Sequence, residues 1–245
     1  MTFLPQLAAW QWTIGVVCAF SVGVAKTGVP GLGILVVPLM VLAIGDARQS
    51  AGWLLPMLCT ADLFAVYYWR RNTAARRMFS LAPWVLAGMA LGAAALGLSE
   101  RVLRPMVGVI VLVMLALYLR RRLRAHEVDV PVHGAPYGVA AGFATTVANA
   151  AGPVMSLYLL SKRLSKEDFV ATGAWFFVVI NLTKLPIYTW HGLIGRRSLA
   201  FDAMMVPAVL AGALAGRWLV YRIPQKLFET LVVALTAIST LILFK

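Results

Sequence analysis

Long apolar runs, separated by short charged or glycine- and proline-containing stretches, repeat along the whole chain of 245 residues. An α-helix needs about 20 predominantly apolar residues to cross the hydrocarbon core of a bilayer, and several of the runs reach this length. We therefore predict an all-α protein in which each run forms a helix. The ten predicted segments are 8–25, 31–45, 49–69, 79–98, 101–120, 136–150, 152–162, 168–190, 200–220 and 226–244.

Two pairs of neighbouring segments contain members that are too short to cross a membrane alone. We predict that 8–25 with 31–45, and 136–150 with 152–162, form broken helices or re-entrant hairpins. Non-helical backbone at membrane depth is stable only where protein or a water-filled cavity surrounds it. Whether each pair crosses fully or dips in and returns stays open at this point. In both cases the pair ends on the side of the membrane where it began.

The composition is that of an integral membrane protein. Hydrophobic residues make up 61% of the chain and charged residues 13%, whereas soluble domains have roughly 45–50% and about 25%. We predict a single transmembrane domain over residues 1–245. The first apolar run lacks a basic n-region and a small-residue cleavage site, so we expect it to be a membrane segment and not a removable signal.

The net charge of +13 does not indicate a nucleic-acid partner, because most of the basic residues lie at the ends of apolar segments. Such positions are typical of topology determinants and of contacts with anionic membrane lipids. The three basic clusters lie within 70–77, 120–124 and 162–166. Cytoplasmic placement of these clusters satisfies the positive-inside rule, and we expect a multi-pass protein of the bacterial inner membrane.

The order of segments predicts an internal duplication with inverted repeats. Each half would hold one short helix pair and three transmembrane helices, and an odd number of crossings inverts the second half. We place repeat 1 at about 8–120, a cytoplasmic linker at about 121–135 and repeat 2 at about 136–244. Self-comparison supports this division. At an offset of 121 residues, Tyr67–Trp69 matches Tyr188–Trp190 and Gly31 matches Gly152, and near an offset of 124 Gly88 matches Gly212 and Gly92 matches Gly216.

The stretches "AKTGVPGLG" and "TTVANAAGPV" occupy corresponding breaks in the two halves. Glycine permits unusual backbone conformations and proline prevents a continuous helix, so backbone amides become available to a ligand. The start of a half-helix at membrane depth can hold an anion without a metal or another cofactor. Close helix packing through small residues is the alternative interpretation. The candidate substrate-binding residues at the breaks are Thr27, Gly28, Gly31, Gly33, Thr145, Thr146, Asn149 and Gly152.

Two lysines within apolar segments are further candidates for substrate binding. Lys26 adjoins the first break, and Lys184 lies inside the 168–190 segment near Asn181. A charge inside a membrane segment is costly and indicates a functional site, although Lys26 could also extend to an interface. Asp62 falls beside Lys184 under the internal offset, so an Asp62–Lys184 ion pair is an open alternative. Protonation of Asp62 would then gate the site and couple transport to protons.

Two tryptophans stand near the starts of equivalent segments. Trp53 and Trp175 are candidates for the wall of the cavity, and anchoring at the membrane interface is the alternative for both. The two cysteines, Cys18 and Cys59, lie among apolar neighbours, so we expect buried thiols and no metal site.

The sequence contains no catalytic signature. No HExxH or GxSxG motif is present. Of the three histidines, His126 and His133 lie in the polar linker and His191 lies at a segment end. No Walker A motif is present either, so energy would come from an ion gradient or from the substrate's own gradient. An enzyme is therefore not expected. An anion channel and a purely structural protein are the other classes considered.

Two stretches resemble the sulfite exporter TauE/SafE family of bacterial membrane transporters. They are "KTGVPGLGILVVPL" and the segment from Gly142 to Tyr188, and the similarity extends over nearly the whole chain. The glycine cluster of the family pattern is diluted here, which indicates a divergent branch. The resemblance implies transport of a small organic or inorganic sulfur-containing anion, or of a small carboxylate, across the inner membrane.

From these features we expect a secondary transporter that works by alternating access. The preferred substrate is sulfite or an organosulfonate, and export is the preferred direction because an inside-negative potential favours the exit of an anion. Import or export of a small carboxylate remains an alternative, and a homodimer remains open.

Overall fold

A computed structural model of the chain describes residues 5–70, 80–95, 99–123, 133–148, 150–242 and 244. In these ranges the regular structure is helical, without a strand. The α-helices are α1 (Ala9–Thr27), α2 (Val36–Ile44), α3 (Ala47–Trp69), α4 (Ala82–Ala95), α5 (Glu100–Leu123), α6 (Gly134–Ala148), α7 (Ala151–Ser161), α8 (Lys166–Trp190), α9 (Arg196–Arg222) and α10 (Gln225–Ile242).

Each predicted segment coincides with one of these helices, with bounds that differ by a few residues. Four helices, α3, α5, α8 and α9, are long and apolar enough to cross a membrane. The helices α4 and α7 are apolar but shorter. The prediction of an all-α protein with the helices of a membrane protein is therefore confirmed.

The chain divides into two compact units, and each unit draws helices from both halves of the sequence. The first unit is formed by Met1–Thr73 with Lys166–Pro224, and the second by Ala74–Ser165 with Gln225–Lys245. In the described ranges the first unit contains α1, α2, α3, α8 and α9, and the second contains α4, α5, α6, α7 and α10.

In the first unit, α1 and α2 form an antiparallel hairpin. The side-chain amide of Gln11, near the start of α1, donates a 2.6 Å hydrogen bond to the carbonyl oxygen of Ala43, near the end of α2. The chain reverses at Gly28–Gly31, where Gly31 has a φ of 105° that is readily adopted only by glycine. A 3₁₀ turn at Leu32–Ile34 then leads into α2. The end of this pair therefore lies beside its start, and its return to the same side of the membrane stays a prediction.

In the second unit, α6 and α7 form a corresponding hairpin. The rings of Tyr137, in the first turn of α6, and Tyr158, in the last turn of α7, lie 5.4 Å apart between centroids. The side chains of α7 are buried continuously from Pro153 to Leu160. A short helix that is apolar on every side is stable where neighbouring helices surround it.

In the first unit, α1 packs against α9 with almost no space between the two backbones. A Cβ atom at Gly23 would overlap the backbone of Val209 and Ala213, and one at Gly212 would overlap the carbonyl of Phe20. Small residues allow this approach, which is typical of helix contacts in membranes. The contacts progress along both helices in the same direction, so α1 and α9 run parallel.

The second unit repeats this contact between α4 and α6. A Cβ atom at Gly142 would overlap the backbone of Val85 and Met89, and one at Gly88 would overlap Val139. Gly142 follows Gly23 by 119 residues, whereas Val85 and Met89 precede Val209 and Ala213 by 124. The two contacts are therefore equivalent in sequence as well as in geometry.

Candidate functional site

A buried ion pair joins the first helix break to the centre of the first unit. The ammonium of Lys26, in the last turn of α1, lies 2.7 Å from Oδ1 of Asp62 on α3. The side-chain amide of Asn181 on α8 donates a 2.6 Å hydrogen bond to Oδ2 of the same carboxylate. Asp62 is fully buried, and the Lys26 side chain is 12% exposed. One carboxylate thus holds together three helices from both halves of the sequence.

The salt bridge of Asp62 involves a different lysine from Lys184, the partner considered from the sequence. Its salt bridge is with Lys26, which the internal offset did not indicate. The offset did predict that the segments containing Asp62 and Lys184 come together, and the contact between α3 and α8 confirms this.

Lys184 lies in the same cluster. Its side chain is buried, with 5% of the residue exposed, and it interacts electrostatically with Lys26, Asp62 and Cys59. With all three charged groups ionised, Lys26, Lys184 and Asp62 have a formal sum of +1. Burial of an ionised lysine is costly unless an opposite charge is close, so an anion beside these lysines would reduce that cost.

Phe177 is a neighbour of this cluster that sequence reasoning missed. The ammonium of Lys26 lies 4.0 Å from the centroid of the Phe177 ring, a distance typical of a cation–π interaction. Phe177 precedes Asn181 by four residues on α8, so the two share a helix face. Because Asn181 was already a candidate from the sequence, this four-residue spacing is the signal that points to Phe177.

The other candidate residues of the first break differ in burial and in what they contact. Thr27 is fully buried, and its hydroxyl donates to the carbonyl oxygen of Ala213 on α9 at 2.6 Å. A Cβ atom at Gly28 would overlap Gly216 of the same helix. Gly31 and Gly33 are partly exposed. Thr27 and Gly28 therefore face the contact with α9, and Gly31 and Gly33 line the turn that follows.

The second break belongs to the second unit. Thr145 is buried, and the hydroxyl of Thr146 donates to the carbonyl of Gly142 at 2.9 Å. Gly152 lies in the first turn of α7, and a Cβ atom there would meet no atom within 4 Å. Asn149 lies outside the described residues. The start of α7 thus has open space beside it.

The two candidate tryptophans differ in their surroundings. Trp53 packs on Phe201, with 5.3 Å between ring centroids, and it borders the apolar core of the first unit. Trp175 is partly buried on α8. The roles of both in a cavity wall remain predictions.

Cysteine and metal chemistry were not expected at this site. Cys18 and Cys59 are buried free thiols, as predicted. Within the described residues there is no group of three His, Cys, Asp or Glu side chains that could hold a metal ion. Ammonium groups, an amide and backbone N–H groups at a helix start are the groups near the breaks that could hold an anion.

Comparison with known proteins gives one match. Residues 15–243 match the model of the family described as sulfite exporter TauE/SafE, which covers nearly the full chain. No curated protein and no solved structure is significantly similar to the chain.

Proposed function

The chain belongs to the sulfite exporter TauE/SafE family, and from this premise we propose that it is a secondary transporter of a small anion. Sulfite or an organosulfonate is the proposed substrate, and export across the bacterial inner membrane is the proposed direction. The family is one of membrane transporters of sulfite and related anions, so transport and not catalysis is the expected activity.

The observation that carries this proposal is the presence of two lysines beside one carboxylate within apolar helices. Lys26 is paired with Asp62, and Lys184 lies buried in the same electrostatic neighbourhood. A singly charged anion that entered this cluster would bring its formal charge from +1 to zero. A site of this kind favours a small anion over a neutral or cationic solute.

Alternating access is supported by the internal equivalences of the fold. Both halves contain an antiparallel hairpin followed by three helices, and the α1–α9 contact has its counterpart in α4–α6. The equivalent helices α3 and α8 run in opposite directions, because Gly52 approaches Leu193 while Asp62 bonds to Asn181. These features favour two inverted repeats, each with a broken helix pair and three transmembrane helices. Rocking of one part against another would then expose the site to each side in turn.

The proposed direction and energy source follow from the charge of the substrate. An inside-negative potential favours the exit of an anion by about 2.3 kcal/mol per charge for each 100 mV. The substrate's own gradient adds to this term when the anion accumulates in the cytoplasm.

Asp62 offers a means of gating. Protonation of its carboxylate would remove the charge that holds Lys26 and would leave both lysines for the substrate. The charged and titratable groups that interact with Asp62 are Lys26, Lys184 and Cys59, and Asn181 donates to it. Loss of the pH dependence of uptake in Asp62→Asn would support this role, and an unchanged pH dependence would contradict it.

The test of the proposed function is ligand-induced thermal stabilisation of the purified protein in detergent. The ligands are sulfite, thiosulfate, sulfoacetate, sulfolactate, lactate and sulfate. We expect at least one sulfur-containing anion to raise the Tm of the wild type, and to raise it less in Lys26→Ala and in Lys184→Met. Lys226→Ala, which removes an exposed lysine on α10, is the matched control and should behave as the wild type.

The alternatives give different results in the same experiments. Stabilisation by lactate alone would favour a carboxylate transporter. In proteoliposomes, flux that does not saturate and shows no counterflow would favour a channel. No stabilisation by any of the six anions, in folded protein, would contradict the proposed substrate class.

A further inference from the structure

A second buried carboxylate lies in the first unit, away from the lysine cluster. Asp202 is in the second turn of α9 and is 7% exposed. Neither of its carboxylate oxygens has a hydrogen-bond partner among the described residues. Its neighbours in sequence, Phe201 and Met205, belong to the apolar core of this unit.

A carboxylate in this environment needs a compensating partner. Burial of an ionised carboxylate without a partner costs several kcal/mol or more, and buried polar groups are nearly always paired. Asp62 shows the usual solution, with a lysine on one oxygen and an amide on the other. Among the described residues Asp202 has no such groups, so a bound proton, which removes the charge itself, is the simplest compensation.

The surroundings favour a proton over a metal cation. Hard cations are held by several oxygen ligands at once, whereas the neighbours Phe201 and Met205 are apolar and, in the described part of the chain, no three His, Cys, Asp or Glu side chains form a group that could hold a metal ion. A proton needs only one oxygen of Asp202. Binding of the proton forms an O–H bond and turns the carboxylate into a neutral carboxylic acid, and release to water reverses this step.

In the described ranges, the charged and titratable groups near Asp202 come from three helices. The helices that pack against α9 are α1 and α3. From α3, the thiol of Cys59 interacts electrostatically with Asp202 and also with Asp62, Lys26 and Lys184. From α1, Cys18 lies in the same apolar core as Phe201. On α9 itself, Arg196 and Arg197 are exposed.

Asp202 is well placed to act on the helix that carries Lys26. It lies about 9 Å along the axis from Arg196, at the end of the parallel α1 opposite to Lys26. The α1–α9 contact is closed through Gly23 and Gly212 without spare volume. At the end near Asp202, a Cβ atom at Gly15 on α1 would overlap the ring of Phe201, the residue before Asp202. A charge that appears on Asp202 must be hydrated, and water entering beside it would disturb this packing.

We propose that Asp202 binds and releases a proton during transport and thereby couples anion movement to the proton gradient. This inference rests on the proposed transport function. In this view the protonation state of Asp62 controls the lysine cluster, while Asp202 carries the coupled proton between the two sides of the membrane.

The first test does not depend on the transported anion. Dicyclohexylcarbodiimide, an apolar carbodiimide, reacts with protonated carboxyl groups. The O–H of the acid adds across a C=N bond to give an O-acylisourea, which rearranges to a stable N-acylurea without loss of an atom. We expect mass spectrometry of the full-length protein in detergent to locate this adduct on Asp202, with a yield that falls as the pH is raised from 5 to 9. The absence of an adduct at every pH would overturn the proposal.

The second test measures coupling in proteoliposomes with sulfoacetate, whose sulfonate stays ionised and does not cross the bilayer unaided. We expect Asp202→Asn to retain exchange of sulfoacetate. When a pH gradient is imposed, this variant should accumulate at least tenfold less sulfoacetate than the wild type. Glu229→Gln, the same chemical change on α10, should keep both activities. Full gradient-driven accumulation in Asp202→Asn would overturn the proposal. A wild type that forms the Asp202 adduct but transports no anion would contradict the proposed function and leave the proton site supported.

Discussion

Asn181 on α8 donates a hydrogen bond of 2.6 Å to Asp62 on α3, although 119 residues separate the two in sequence. The two helices occupy the same place in the order of their halves, and they run antiparallel. An inverted duplication brings equivalent helices together in this way at its pseudo-twofold axis. The bond is therefore what the proposed inverted repeats lead us to expect, whereas the lysine on the other oxygen of Asp62 makes the arrangement asymmetric.

The ion pair of Lys26 and Asp62 should be detectable as a coupling energy. We expect Lys26→Ala to lower the free energy of unfolding by about 3 kcal/mol, because it leaves a buried carboxylate without its main partner. Thermal or denaturant unfolding in detergent measures this change. The double variant Lys26→Ala with Asp62→Ala should be more stable than the sum of the single effects implies, with a coupling of about 1–3 kcal/mol.

A coupling near zero would contradict this account of the pair. Asp46→Ala provides a control for ordinary loss of a carboxylate, because Asp46 caps α3 by accepting a 2.7 Å bond from the backbone N–H of Gln49. Loss of a cap costs about 1 kcal/mol. The loss of stability in Asp46→Ala should add to that in Lys26→Ala, with a coupling energy near zero.

The glycine contacts of the two units should respond alike to added volume. Gly212→Ala places a methyl group on the carbonyl of Phe20, and Gly88→Ala places one on the backbone of Val139. Backbone cannot move aside as a side chain can, so we expect a loss of about 1–3 kcal/mol or more in each case. The yield of monodisperse protein and its Tm in detergent measure the effect.

Gly195→Ala is the matched control for these variants. A Cβ atom there would meet no atom within 4 Å, and its φ of −139° suits alanine. Its Tm should stay within a degree or two of the wild type. Equal stability of all three variants would mean that the helices are farther apart than described.

The sequence predicts the helices well because each long apolar run has one stable form in a bilayer. It also predicts the two breaks, since Gly28, Pro30 and Gly31 make a continuous helix impossible. It does not predict that Lys26 pairs with Asp62, because that contact depends on how α1 packs against α3 after the chain has reversed at the break. The internal offset relates equivalent residues and carries no information on contacts that break the symmetry.

Asp202 shows a second limit of prediction from the sequence. In the sequence it stands six residues after Arg196, near a segment end, where an acidic residue is usually solvated. Only the packing of α9 against α1 and α3 buries it. Its signal in the sequence is the apolar context "LAFDAMMV", which gives an acidic residue no polar neighbour within three positions.

Trp53 should act mainly through packing. Its ring lies 5.3 Å from that of Phe201, which also contacts Trp12 at 5.2 Å. We expect Trp53→Ala to lower the free energy of unfolding by about 1–3 kcal/mol, below the 3–5 kcal/mol typical of a fully buried tryptophan, because Trp53 is partly exposed. Trp53→Phe should recover most of the loss by keeping an aromatic pair. An unchanged Tm in Trp53→Ala, together with weaker anion binding, would instead favour the cavity wall.

Gly152 allows the second break to be tested without damage to the fold. Its position in the first turn of α7 has room for a methyl group, so Gly152→Ala should leave the Tm unchanged. Backbone N–H groups at a helix start hold an anion only if the anion can approach closely, and a methyl group beside them would prevent this. We therefore expect at least a fivefold loss of affinity for the anion that stabilises the wild type, measured by titration in the thermal-shift assay.

Gly195→Ala again serves as the control for the Gly152→Ala variant. If Gly152→Ala binds the anion as tightly as the wild type, the start of α7 does not hold the anion.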